Sequence, residues 1–219
     1  MTAIRKLLLV LAIALGGLLP SLPAHALNGE ETQALKKISD FFNSFRTLKG
    51  EFTQISPRGR VATGVFYIAK PGRMRFEYAP PVPFVIVSDG SWVAMRNNKK
   101  ATVDYYPLSK TPLRMVLASR VNLARDAIIK KVEERNGLTI VTLQDKDRMV
   151  PGHLVLVFDN GRNVLQQWIV IDGQGRRTTV SLSNMQPGVK VAAKLFNVPR
   201  NGEGKPRVRK KTNFSSSRR

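Results

Sequence analysis

A two-residue period recurs along most of this chain, and turn signals rather than helices interrupt it. Gly72 to Tyr78, GRMRFEY, shows the pattern: Met74, Phe76 and Tyr78 point one way, Arg73, Arg75 and Glu77 the other. That is the signature of a half-buried strand. Comparable runs cover 48–56, 60–69, 72–78, 83–88, 91–97 and 100–106, then 127–135, 138–144, 153–159, 163–172 and 176–186. Pro57-Arg58-Gly59, Pro71-Gly72, Pro80-Pro81, Asp89-Gly90, Asn136-Gly137, Asn160-Gly161 and Gly173-Gln174-Gly175 separate them, and these are turn chemistries. Nothing resembles a βαβ unit, so the eleven strands predict an up-and-down antiparallel order.

A twisted sheet of that size curls and encloses more space than its own side chains need. Two helical segments are available to cover it. Residues 30–46 carry an apolar stripe of Ala34, Leu35, Ile38, Phe41, Phe42 and Phe45 at helical spacing, with Glu30 and Glu31 at the positive helix end. Residues 111–119, TPLRMVLAS, place Thr111 as N-cap, Pro112 at the first helical position and Leu113, Val116 and Leu117 on one face. The predicted fold is mainly β with an α lid: a curled antiparallel sheet around a hydrophobic cavity whose natural occupant is a lipid.

The ends are unlike the middle. Arg5 and Lys6 precede an uncharged apolar run, Leu7 to Leu19, and Ala24-His25-Ala26 follows as a cleavage site, so residues 1–26 read as a cleaved signal peptide. The run is too short to span a bilayer comfortably. No cysteine is present, which removes disulfides, thiolate catalysis and the lipid-acceptor Cys of a bacterial lipoprotein. The expected product is exported, soluble and unanchored. The formal charge is +21, and residues 200–219 hold eight Lys or Arg and one Glu, among them Arg207, Arg209, Lys210 and Lys211. This tail reads as disordered. Past a signal peptide its partner is an anionic membrane surface, or it is a solvated extension with no partner.

No constellation for catalysis emerges. His153 is the one histidine of residues 27–219 and has no oriented partner in sequence. Ser88 lacks a G-x-S-x-G elbow. Asp145 and Asp147 flank a lysine that opposes a metal, and Glu133 and Glu134 face opposite sides of a strand. The glycines sit in hairpin turns rather than phosphate loops. Aromatic interleaving is too poor for nucleic-acid stacking. The expectation is a non-enzyme with no cofactor, no metal and no nucleic acid.

Gly64 to Tyr78, GVFYIAKPGRMRFEY, followed by Val87-Ser88-Asp89-Gly90, resembles the periplasmic lipoprotein carriers of the LolA family. The opening amphipathic helix leading into LKGEFTQ, the TPLRMVLA segment and KLFNVP near the end match as well, so the resemblance covers nearly all of 28–199, and the domain is taken as 27–199. The resemblance implies an unclosed eleven-stranded barrel under a helical lid. It implies a periplasmic monomer in a Gram-negative cell that accepts acylated lipoproteins from an inner-membrane release transporter and passes them to an outer-membrane receptor, LolB. The alternative is a scaffold or sensor of the same fold that binds lipid without transporting it.

Carried over to this sequence, the resemblance makes Met74 and Phe76 cavity residues and Leu113, Val116 and Leu117 lid residues; Tyr78 shares the alternating face of Met74 and Phe76, and Phe66, Ile68 and Trp92 are added as further wall residues. Phe66, Ile68 and Trp92 depend on register, because a one-residue slip inverts their faces. Met74 and Met95 suit loose, adaptable contacts or act as gap-filling core. Lys70 stands where the family often has an arginine that bonds lid carbonyls, so it is either a latch, weaker for want of a planar fork, or a surface residue ending a strand. Arg114 departs from the apolar lid pattern and is read as facing solvent. The basic tail has no counterpart in the family.

Overall fold

The computed structural model describes residues 27–147 and 150–198. The expected signal peptide, 1–26, and basic tail, 200–219 with Arg207, Arg209, Lys210 and Lys211, lie outside them. An opening helix α1 (Gly29–Asn43) leads into β1 (Thr47–Ile55), β2 (Val61–Ala69), β3 (Arg73–Tyr78), β4 (Phe84–Asp89), β5 (Trp92–Asn97) and β6 (Thr102–Pro107). After a non-strand segment with a one-turn helix α2 (Leu123–Asp126) come β7 (Ala127–Arg135), β8 (Leu138–Asp145), β9 (His153–Asp159), β10 (Val164–Ile171) and β11 (Arg177–Pro187).

All eleven strands form one sheet in the order β6-β5-β4-β3-β2-β1-β11-β10-β9-β8-β7, every pairing antiparallel. The edge strands β6 and β7 do not pair with each other, so the barrel is unclosed. Bulges between Lys49 and Glu51, Ile129 and Lys131, and Leu165 and Gln167 add local bend and twist where the sheet curls.

The sheet's concave face and α1 share one continuous apolar core. From the helix it takes Leu35, Ile38 and Phe42; from the strands it takes Leu48, Phe52, Phe66, Met74, Leu143, Leu156 and Trp168 among others. The helix begins in a capping box: Asn28 Oδ1 accepts from the Glu31 N–H, and the Asn28 N–H donates to the Glu31 carboxylate, satisfying two otherwise orphaned donors. β9 is buried on both faces. Val155 and Val157 pack with Ile169 in a smaller cluster on the convex side, which is why HLVLVFD reads as a continuous apolar run.

Gly64 and Gly72 are steric necessities. A Cβ on Gly64 would lie 2.0 Å from the Glu77 carbonyl oxygen and 2.7 Å from the Phe52 ring. At Gly72 φ is +70°, and a Cβ would lie 2.7 Å from Gly90 Cα, because the β2–β3 and β4–β5 turns abut.

Candidate functional site

The interior between α1 and the N-terminal half of the sheet is where the sequence places its cavity. Pairing register decides which side chains enter it. Phe66 is opposite Phe76 and Ile68 opposite Met74 across the β2–β3 ladder, so all four share the concave face and all four are buried. Phe76 sits in an aromatic cluster, with ring centroids 5.0 Å from Phe52, 5.6 Å from Phe66 and 5.8 Å from Trp168. These separations are in the favourable range for aromatic pairs. Beneath the helix the predicted cavity wall is therefore packed core. Met74 is part of this filling, at 3% exposure.

Open space lies at the opposite end of the barrel, where β1, β3 and β5 end and β2 and β4 begin. A cleft of about 390 Å³ there is lined by Tyr78, Val82, Phe84, Ile86 and Met95, with Gln54 and Arg60 at its edge. Tyr78 is half-buried and donates its hydroxyl proton to Gln54 Oε1 at 2.8 Å. Burial pushes its pKa up to about 12. Met95, Ile86 and Phe76 continue one apolar surface across β5, β4 and β3. Interior and cleft thus form one concave face, filled at the helix end and open at the other.

Trp92 is a correction. β5 alternates, and its concave residues are Val93, in the main core, and Met95, in the cleft. Trp92, one residue before Val93, has the opposite parity and faces away from the interior.

The segment between β6 and β7, residues 108–126, crosses from one sheet edge to the other and acts as a strap. The predicted helix over 111–119 is a second correction. Leu108–Lys110 and Pro112–Arg114 are single 3-10 turns, and turns and bends follow. Thr111 supplies no side-chain cap; its hydroxyl donates to the Leu108 carbonyl at 2.9 Å, a local bond that competes with helix initiation. Val116 and Leu117 are buried, with Met115, and Leu113 packs partly buried on the core.

Polar contacts hold strap and helix in place. Asn43, the last residue of α1, donates from Nδ2 to the Val121 carbonyl and accepts the Val121 N–H at Oδ1, both at 2.8 Å. Ser39 Oγ accepts the Leu123 N–H at 3.1 Å. The Gly72 N–H donates to the Leu117 carbonyl at 2.8 Å. Arg114 does not simply face solvent. Its Nε donates to Asp145 Oδ2 at 2.6 Å and its Nη2 to Oδ1, a bidentate pair with a carboxylate that is itself buried. That carboxylate raises the Arg114 pKa further. Asp145 also accepts the Asp147 N–H at 2.8 Å.

Lys70 is 5% exposed, which overturns the surface-residue reading. Its Nζ donates to the Phe42 carbonyl in the last turn of α1 and lies 5.0 Å from the Phe45 ring centroid and 5.6 Å from that of Phe42. A cation there meets the negative end of the helix dipole and two aromatic faces. Its carbonyl partner is on the opening helix rather than on the 111–119 segment. Burial, reinforced by the nearby Arg46 charge, brings the Lys70 pKa down to about 8.

Phe52, Ile86, Trp168, Asn43, Ser39 and the Arg114–Asp145 pair escaped the reading of the sequence. Phe52 and Ile86 carry the same period-2 signal as their neighbours. Trp168 follows the bulge at Leu165/Gln167, which breaks the parity count. Nothing local marks Asn43 or Ser39.

A family model described as outer membrane lipoprotein carrier protein LolA matches residues 43–199. The chain belongs to the LolA family. An outer-membrane lipoprotein carrier protein of Dechloromonas aromatica is 27% identical over 205 residues, 90% of this chain and 93% of that protein. One of Methylococcus capsulatus is 27% identical over 175 residues, 76% and 83% of the two chains. An uncharacterized Rickettsia prowazekii protein is 28% identical over 109 residues, and the match spans about half of it. Among solved structures, a LolA superfamily protein of Nitrosomonas europaea aligns with TM-score 0.46 and 11% identity, over 76% of this chain and 97% of that one. The LolA family is one of carrier proteins, not of enzymes. Among the described residues no helix is long and apolar enough to cross a membrane.

Proposed function

We propose that this LolA-family protein is a periplasmic carrier that takes the acyl chains of lipoproteins into the concave face of its barrel and ferries them from the inner to the outer membrane. The observation that carries this reading is the continuous apolar surface from the packed interior at Phe76 to the open cleft at Ile86 and Met95. A strap and helix, fastened by polar contacts as well as by buried apolar side chains, lie over its closed end. Burying acyl chain is worth about 0.8 kcal/mol per methylene, so a lipoprotein with several chains cannot cross water unaided. An interior whose cover can be released meets that need. Phe66, Ile68, Met74, Phe76 and Tyr78 form the wall that cargo reaches, Leu113, Val116 and Leu117 the cover, and Lys70 the latch on α1. The partners are a release transporter at the inner membrane and a receptor at the outer membrane, and the carrier works as a monomer.

Native mass spectrometry of the protein gently purified from the periplasm tests the reading. Met95→Glu places a charge in the cleft without entering the packed aromatic cluster. Copurified acylated protein in the wild type and none in the variant, at equal folding, is the expected result. An empty wild type, with normal lipoprotein sorting in cells depleted of the protein, would overturn it.

A further inference from the structure

The open end of the barrel carries a second pattern that the acyl-binding reading does not use. The β1–β2 hairpin tip reads Ile55-Ser56-Pro57-Arg58-Gly59-Arg60-Val61. Ile55 and Val61 are the last cross-strand pair of that ladder, and both are exposed, at 43% and 63%. Two of the four large exposed apolar side chains among the described residues thus sit side by side on one tip. Arg58 and Arg60 flank them, both exposed. Arg60 and Val61 also line the cleft.

The β5–β6 turn comes to the same rim. The Asn98 N–H donates to the Pro83 carbonyl at 2.7 Å, which ties this turn to the β3–β4 loop whose Pro81, Val82 and Pro83 line the cleft. Lys99 and Lys100 project from it, exposed. Among the described residues, none of these four cations takes part in a salt bridge. Asp172, in the β10–β11 turn, is paired with Arg176 at 2.7 Å, and Asp104 stands exposed on β6.

We infer that the rim is a membrane-docking surface for anionic bilayers. Arg58, Arg60, Lys99 and Lys100 engage the headgroups while the Ile55–Val61 tip enters the acyl boundary, setting the cleft mouth against the lipid. Exposed apolar side chains ringed by unpaired cations are the composition that binds an anionic interface; an acidic protein partner would reward the cations but leave the tip without a role. The inference rests on the carrier reading only for why the mouth should meet a bilayer. It is tested without lipoprotein, so its failure and the failure of acyl carriage are separate results.

The experiment is flotation of the full chain with vesicles of phosphatidylcholine alone and of phosphatidylcholine with phosphatidylglycerol. Wild type should float only with the anionic vesicles, and less as salt rises. Each cation removed should weaken binding about fivefold, so the quadruple Gln variant of Arg58, Arg60, Lys99 and Lys100 should lose roughly several hundredfold. Ile55→Ser with Val61→Ser should weaken binding with the charges intact, which a purely electrostatic contact would not do. All six positions are exposed, and unchanged unfolding midpoints verify the fold. A full chain with Arg207, Arg209, Lys210 and Lys211 changed to Gln should keep the same rim dependence. Wild type that ignores phosphatidylglycerol, or whose flotation depends on the tail cations and not on the rim, overturns the inference.

Discussion

Lys70 offers a test of how the helix is held, because its cost changes with pH. The ammonium is buried on the Phe42 carbonyl, and its pKa falls from 10.5 to about 8. The unfolded chain therefore binds more protons than the folded one between those values, and stability must rise with pH across that window. Keeping the ammonium charged at neutral pH costs about 3 kcal/mol, from roughly 2.5 pH units at 1.36 kcal/mol each. About 2 kcal/mol of that should be recovered between about pH 7 and pH 9.5, with the remainder by about pH 10.5.

Lys70→Met removes the titration and leaves the Phe42 carbonyl without its lysine donor, a loss of about 1–3 kcal/mol. The two effects nearly cancel at pH 7, so the variant should match wild type there and be about 2 kcal/mol less stable at pH 9.5. Denaturant unfolding of both proteins across that range measures the difference. Tyr78, with its pKa raised to about 12, acts in the opposite sense above about pH 10, and it cancels in the comparison. A wild-type-minus-variant difference that stays flat with pH would refute the argument.

Asn43→Ala removes both bonds to Val121 and should cost about 1–3 kcal/mol, with hydrogen exchange rising across 115–123 before it rises in the strands. Gly64→Ala should prevent a native β2–β3 pairing, since the methyl would lie 2.0 Å from a backbone oxygen; circular dichroism and expression yield read this. Arg114→Gln leaves the buried Asp145 carboxylate with the Asp147 N–H but without its guanidinium, at a cost of about 3 kcal/mol. If the strap must lift for an acyl chain to enter, the variant should bind a fluorescent fatty-acyl probe more tightly by up to about a hundredfold; unchanged affinity would mean that the probe bypasses the strap.

Strand positions were legible because each is a local fact. The alternation that marks Arg73–Tyr78 depends on six residues and the proline-bounded turns around them. Elements with no regular period were harder. The 111–119 segment has a helix-start pattern in Thr111-Pro112, yet its ends are drawn to opposite sheet edges, and tertiary bonds at Leu117 and Val121 take up backbone groups that a helix would use itself. Trp92 was misplaced because a two-residue period needs an anchor for its parity, and a large aromatic is a poor one at a strand end. The Arg114–Asp145 pair joins positions 31 apart in sequence, and only the curl of the sheet brings them together.

Filled interior and carrier role are reconciled by comparing magnitudes. The fastenings of strap and helix are the Asn43 pair, the Ser39 and Gly72 bonds, the Lys70 latch and the Arg114–Asp145 clamp. At about 1 kcal/mol for each neutral bond and up to about 3 for the Arg114–Asp145 clamp, with Lys70 near zero net at neutral pH, these polar fastenings sum to roughly 7 kcal/mol, and lifting the strap also exposes the buried Met115, Val116 and Leu117 at roughly 1.5–3 kcal/mol each. An acyl chain of about 15 methylenes gains about 12 kcal/mol on leaving water. One chain therefore comes close to offsetting release of the strap, a second makes loading favourable, and the empty protein stays shut. Because the cost of opening and the gain of loading are of similar size, binding remains reversible.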